Sequence, residues 1–164
     1  MAQKTIILTL ETIPSGTKPS LGESHGYNSG EEKQDIEVKD ATVRISQTDK
    51  TTSSRKPCFE FDISYKVGKD KEAVILEWAN CFWSKNKFAE RILRQATLKF
   101  DYASYDITMP QRTFTIAQAF LAKYEESMSE DGGPDEKEVK IIIRANEQDQ
   151  EIIMEQTPPP TSGR

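Results

Sequence analysis

The sequence predicts a mainly β (α+β) domain, a small β-barrel or sandwich of seven to eight mostly antiparallel strands with one inserted amphipathic helix. Three observations predict it. Short runs alternate apolar and polar residues, most cleanly after Pro57, where Phe59, Phe61, Ile63, Tyr65 and Val67 interleave with Cys58, Glu60, Asp62, Ser64 and Lys66. One stretch, Asp70 to Trp83, instead has helical spacing: Val74, Ile75, Trp78, Ala79 and Phe82 share a face, while Lys71, Glu72, Glu77 and Asn80 take the other. Polar connections rich in Gly, Pro or Ser separate the runs.

Lys4 to Glu11 reads as the first strand, with Ile6, Leu8 and Leu10 on one face. Thr12 to Gln34 follows as a long loop with four glycines and two prolines, too large for an ordinary turn. Asp35 to Thr48 changes phase midway. Ile36 and Val38 share one parity, Val43 and Ile45 the other, so a bulge or tight bend is expected near Lys39 to Ala41. Asp49 to Lys56 is a polar connection without an apolar residue, ahead of the Pro57 strand. In the helix, Asp70 is the expected N-cap, and Glu72 suits the first turn.

Asn86 to Arg94 continues or restarts helical spacing, and Ala96 to Tyr102 returns to period two. Ser104 to Gln111 is expected as a polar crossing broken by Pro110. Arg112 to Met128 is one long bent strand or two strands meeting near Gln118, with Phe114, Ile116, Phe120, Ala122, Tyr124 and Met128 sharing a parity. Glu130 to Asp135 is a turn, and Glu138 to Asn146 the final strand, with Val139, Ile141, Ile143 and Ala145 inward. Residues 1–147 therefore form the barrel domain, carrying the 12–34 loop, and 148–164 a flexible Pro-rich tail. The core anchors are Trp78, Phe82, Phe59, Phe61, Phe114 and Phe120.

Composition narrows the function. Lys plus Arg number 22 and Asp plus Glu 27, a net charge of −5, whereas a nucleic-acid binder shows a basic face. No apolar run approaches the ~20 residues that span a bilayer, and the N-terminus lacks a signal-like apolar core, so a cytoplasmic protein is expected. Cys58 and Cys81 are expected as reduced thiols.

No catalytic site is expected, nor a metal or cofactor. The single histidine, His25, lies in the Gly- and Ser-rich loop, and one His with two distant Cys has no ligand spacing. Carboxylate pairs such as Glu60/Asp62 and Glu125/Glu126 read as solvated strand faces. Gly132-Gly133-Pro134 is a turn without a following helix N-terminus. Trp78 and Trp83 suit helix-to-sheet packing better than a ligand pocket.

With the elements in this order the chain resembles the Hcp (TssD) family, tube proteins of type VI secretion systems, most like the forms found in Bacteroidetes. The carriers are VKDATVRISQTDKTTSSRKP, FEFDISYKV followed by AVILEWANCF, and RTFTIAQAFLAKYEESMSE followed by EVKIIIRANE, with Phe120 where a Tyr is common. The long 12–34 loop, the added segment Asn86 to Arg94 and the Pro-rich tail depart from the pattern.

The resemblance implies homohexameric rings that stack into a hollow tube with effector proteins in its lumen. Sheath, spike and baseplate proteins would be its partners, with assembly in the bacterial cytoplasm and secretion on firing. It assigns the projecting loop, with Asp49, Lys50, Arg55, Lys56 and Pro57, to subunit or ring contacts, and lets the wet helix face, Glu72 and Glu77, look toward a neighbour or the lumen. A phage-like tail tube and a monomeric small-molecule-binding barrel are the competing readings.

Overall fold

A computed structural model describes residues 5–12, 33–47, 57–81, 93–130, 137–145 and 152–158. Eight strands, β1 (Ile6–Thr12), β2 (Lys33–Glu37), β3 (Asp40–Gln47), β4 (Pro57–Lys66), β5 (Arg94–Asp101), β6 (Gln111–Glu126), β7 (Glu138–Ala145) and β8 (Ile152–Thr157), form one sheet; α1 (Val74–Asn80) is inserted between β4 and β5. The order is β2-β1-β5-β6-β7-β4-β3, every pairing is antiparallel, and β8 adds to β6.

The sheet does not close by hydrogen bonds. Its two ends, β2 and β3, are instead successive halves of one bent strand. At the bend, the Val38 N–H donates to the Ile6 carbonyl (3.1 Å) and the Lys39 N–H to the Ser64 carbonyl (2.9 Å), so adjacent residues address opposite ends of the sheet. The phase change expected between Val38 and Val43 is this bend. Ile36 and Val38 are buried, Val43 packs against the core from its edge, and Ile45 is exposed.

Inside, Leu8, Leu10, Phe59, Phe61, Ile63, Leu98, Val139, Ile141 and Ile143 alternate into one core, which α1 covers with Val74, Ile75 and Trp78. Seven residues are too few for a stable isolated helix, so this packing holds it. The helix is shorter than Asp70 to Trp83, and Phe82 and Trp83 lie outside the described residues. Asp70 does cap the helix, but from outside it. Its carboxylate accepts the Val74 N–H (2.8 Å) and the Ile75 N–H (2.9 Å), while Ala73 occupies the N-cap position with a left-handed φ of 56°.

Four expectations need correction. Phe120 is not a core anchor. Ile116, Ala119 and Leu121 are the buried residues of β6, because irregular register against β5 around Arg94–Ala96 and against β7 at Leu121–Lys123 shifts the inward parity twice. Phe120 instead lies level with Arg144 on the outer face, half-buried. Phe114 reaches the core edge. The C-terminal stretch expected as a tail supplies β8, because β7 leaves β6 at Ala119 and β8 resumes along the same edge from Ile116 to Gln111. Arg94 opens β5 rather than ending a helical segment, and 82–92 lies outside the described residues. The crossing after β5 is not uniformly polar: it exposes Tyr105, Ile107 and Met109.

Candidate functional site

The described residues hold no group of three or more His, Cys, Asp or Glu placed to bind a metal, and no helix among them is long and apolar enough to cross a membrane. Cys58 and Cys81 are free thiols. Among the described residues large side chains pack the interior: Trp78, Tyr65 and Phe61 are among the largest that are fully buried. A hollow of about 330 Å³ by the β6–β7 connection is open and lined by Glu125, Lys137, Glu138 and Lys140 rather than by aromatic rings. Among the described residues, surfaces and edges carry most of the chemical character.

On the outer face of β3, β4 and β7, Glu60 accepts from Arg44 (2.8 Å) and Arg144 (2.8 Å), and Arg44 also reaches Asp62 (3.2 Å). The register creates this row, setting Arg44 opposite Glu60 and Glu60 opposite Arg144. The Arg144 and Arg44 guanidiniums hold the Glu60 carboxyl below its ordinary range. Lys39 pairs with Glu138 at the bend and likewise lowers its carboxyl. These charges satisfy one another.

The wall β2-β1-β5-β6-β8 differs. Its outward face carries the row Asp35, Thr9, Thr97, Thr115 and Ile153, in which Thr9 donates to Asp35 (2.7 Å) and the Thr97 and Thr115 hydroxyls meet at 3.3 Å. Among the described strands, β2, β3 and β8 each have a partner on one edge only. Such edges invite pairing with another chain. β8 also exposes Ile153 and Met154.

Between core and surface, the buried Tyr65 hydroxyl bonds to Tyr124, which donates to Glu126 (2.7 Å). Burial pushes both phenols well above their ordinary range, Tyr65 the further. The pair is a neutral structural link from β4 to the end of β6.

Of the interface residues expected from the sequence, Asp49, Lys50, Arg55 and Lys56 lie outside the described residues, and Pro57 opens β4. Glu72, just before α1, and Glu77, on it, are exposed, as is Leu76 of the helix. Pro57 and α1 attach to opposite ends of a strand about 30 Å long, so they do not form one patch. The exposed tip after β5 and the edge of β8 were not anticipated. The spacing Tyr105, Ile107, Met109 was the available signal, obscured by the polar residues and Pro110 around it.

No known protein-family pattern matches the chain, and neither does any curated protein. Among solved structures, Hcp1 from Flavobacterium johnsoniae matches with a TM-score of 0.54 at 14% identity, over 94% of this chain and 98% of that one. The chain has the Hcp fold. The tube-terminating cap of the anti-feeding prophage matches at TM-score 0.49 and 13% identity, over 96% of this chain and 91% of that one. Hcp1 from Salmonella typhimurium gives 0.42 and 16%, over 85% and 81%. Within the Hcp fold as this chain builds it, α1 is the cover of the core and β8 an outer edge.

Proposed function

We propose that the protein is a structural, non-enzymatic tube subunit of a contractile secretion apparatus of the type VI kind. Six copies form a ring, rings stack into a hollow tube, and effector proteins occupy the lumen. Sheath, spike and baseplate proteins are its partners, and neither nucleic acid nor membrane is. Assembly takes place in the bacterial cytoplasm, and the tube leaves the cell on firing.

The observation that carries this reading is the fold match to Hcp1 along nearly the whole of both chains. The surface supports it in two ways. A ring needs a heterologous contact, one surface meeting a different one, and among the described strands β2 and β8 are the outermost, at opposite sides of the same wall. That wall also has a face of threonines and charges suited to lining a wet channel. The large side chains that pack the interior among the described residues, Trp78, Tyr65 and Phe61, speak against a small-molecule carrier, whose barrel would enclose an apolar cavity.

Negative-stain microscopy with a solution mass measurement tests the reading. Uniform rings with the mass of six copies are expected; a monomer at every concentration would falsify it. Changing Arg55 and Lys56 to Glu is expected to weaken ring stacking with an unchanged circular dichroism spectrum. Undiminished tubes from that variant would remove the 49–57 loop from the stacking contact.

A further inference from the structure

Nine residues, 102–110, join β5 to β6, and three of them carry large apolar side chains into solvent: Tyr105 is 77% exposed, Ile107 64% and Met109 42%. The loop is held internally. Tyr105 and Asp106 N–H groups donate to the Tyr102 carbonyl (3.0 and 3.2 Å), and the Met109 N–H donates to the Asp106 carbonyl (2.8 Å). The Asp106 carboxylate accepts both the N–H (3.0 Å) and the hydroxyl (2.9 Å) of Thr108. These bonds fix the backbone with the apolar groups outside, so little ordering entropy remains to be lost on docking.

We propose that this hairpin tip is an apolar docking knob whose partner is a second copy of the chain, seated end-on in the adjacent ring. The proposal rests on the ring reading above and adds a contact to it. Placement is the first argument. The tip projects past Asp101, Gln111 and Thr157, which lie level with one another, while Thr12, Lys33, Arg94 and Ile152 mark the other end of the same wall. A contact from one end of the wall to the other end of the next copy is heterologous and does not close, so it propagates along an axis.

Area is the second argument. The three side chains expose on the order of 300–400 Å², about half of the ~800 Å² per partner in a standard interface. One knob is too small to hold two free chains together. Repeated around a ring, the same contact gains avidity from simultaneous engagement. Charge is the third: the one ionised side chain in the tip, Asp106, is already bonded to Thr108. The knob contact is therefore insensitive to salt, unlike any made by Lys50, Arg55 and Lys56.

The test compares purified rings of the wild type, the double variant Tyr105→Ser/Ile107→Asp, Ile107→Met and Ile107→Ser, at low salt and at about 1 M NaCl. Expected are wild-type tubes that persist at high salt, intact double-variant rings with an unchanged melting midpoint and at least tenfold fewer stacked rings, and stacking retained by Ile107→Met. If the double variant misfolds, Ile107→Ser decides, with reduced stacking expected. Tubes of wild-type length from the mutant rings would overturn the knob while leaving the ring reading intact. So would wild-type rings that never stack, or a variant that loses the ring itself. A wild type that stays monomeric defeats the ring reading instead.

Discussion

The two ends of β6 show different uses of apolar surface. Toward its C-terminal end the strand pairs with β7 and meets a core in which apolar side chains are covered, with Trp78 and Leu121 almost wholly buried. At its N-terminal end it lies between β5 and β8, beside apolar side chains that remain in water: Ile153, Met154 and the Tyr105–Met109 tip. The first arrangement spends hydrophobic burial on the monomer. The second leaves it available for association, at the scale at which exposed patches mark contact sites. Substitutions in the two regions should separate stability from assembly.

Trp78→Ala is expected to have the largest effect, about 3–5 kcal/mol of lost stability from truncating a fully buried aromatic. Thermal or denaturant unfolding checks it, and an unshifted midpoint would mean that α1 does not cover the core. Next comes Tyr65→Phe, which removes the buried donor to Tyr124 and is expected to cost ~1–2 kcal/mol. A change near zero would show that this pair contributes nothing net.

Glu60→Gln is expected to cost about 1 kcal/mol near neutral pH, through its two charge-assisted bonds. The sign of its pH dependence follows from a folded pKa held below the unfolded one. The contribution is complete above the unfolded carboxylate value of about 4.3 and is lost as pH falls through the folded value. Acid titration of the wild-type melting midpoint should show that loss, and the Gln variant a shallower fall. Parallel curves would exclude Glu60 as a contributor.

Ala73→Gly is expected to stabilise by a few tenths of a kcal/mol, since relief of the left-handed backbone slightly exceeds the added unfolded-state entropy. A destabilised variant would show that the Ala73 methyl matters for packing. Met154→Ser, at the exposed end of the comparison, should leave stability within ~0.5 kcal/mol. A larger loss would place β8 within the folding core.

Strand periodicity was legible wherever a strand kept one phase. Leu8 and Leu10, Phe59 through Tyr65, and Val139 through Ala145 all face the core as their alternation implies. Where β6 slips register the same rule fails: the extra residue between Ile116 and Ala119, opposite Arg94–Ala96, puts Phe120 on the other face from the one its parity implies. The helix was legible from Val74, Ile75 and Trp78, but its start was not. Asp70 caps through space across an intervening turn, which a rule for adjacent residues does not describe. β8 was hidden for another reason. Ile152, Ile153 and Met154 lie consecutively without alternation beside a Pro-rich terminus, and only the vacant edge of β6 makes them a strand. Surface roles were the least legible, since an exposed isoleucine such as Ile107 differs from a core one only in its surroundings.

The bend at Val38–Lys39 has a consequence for how the molecule comes together and comes apart. Because the strand that finishes one end of the sheet continues directly into the strand that finishes the other, residues 33–47 act as a latch across both. β2 pairs with β1 and β3 with β4, each its neighbour in the chain, whereas β1 must meet β5 about ninety residues later, and β4 must meet β7, before the two pairs belong to one sheet. Each half of the latch is thus a pairing of chain neighbours, and the long-range contacts that join the two pairs are the slow part of assembly. Peeling residues 33–47 away would bare the edges of β1 and β4 in one event, so the two sides of the sheet should lose their amide protection together rather than in turn.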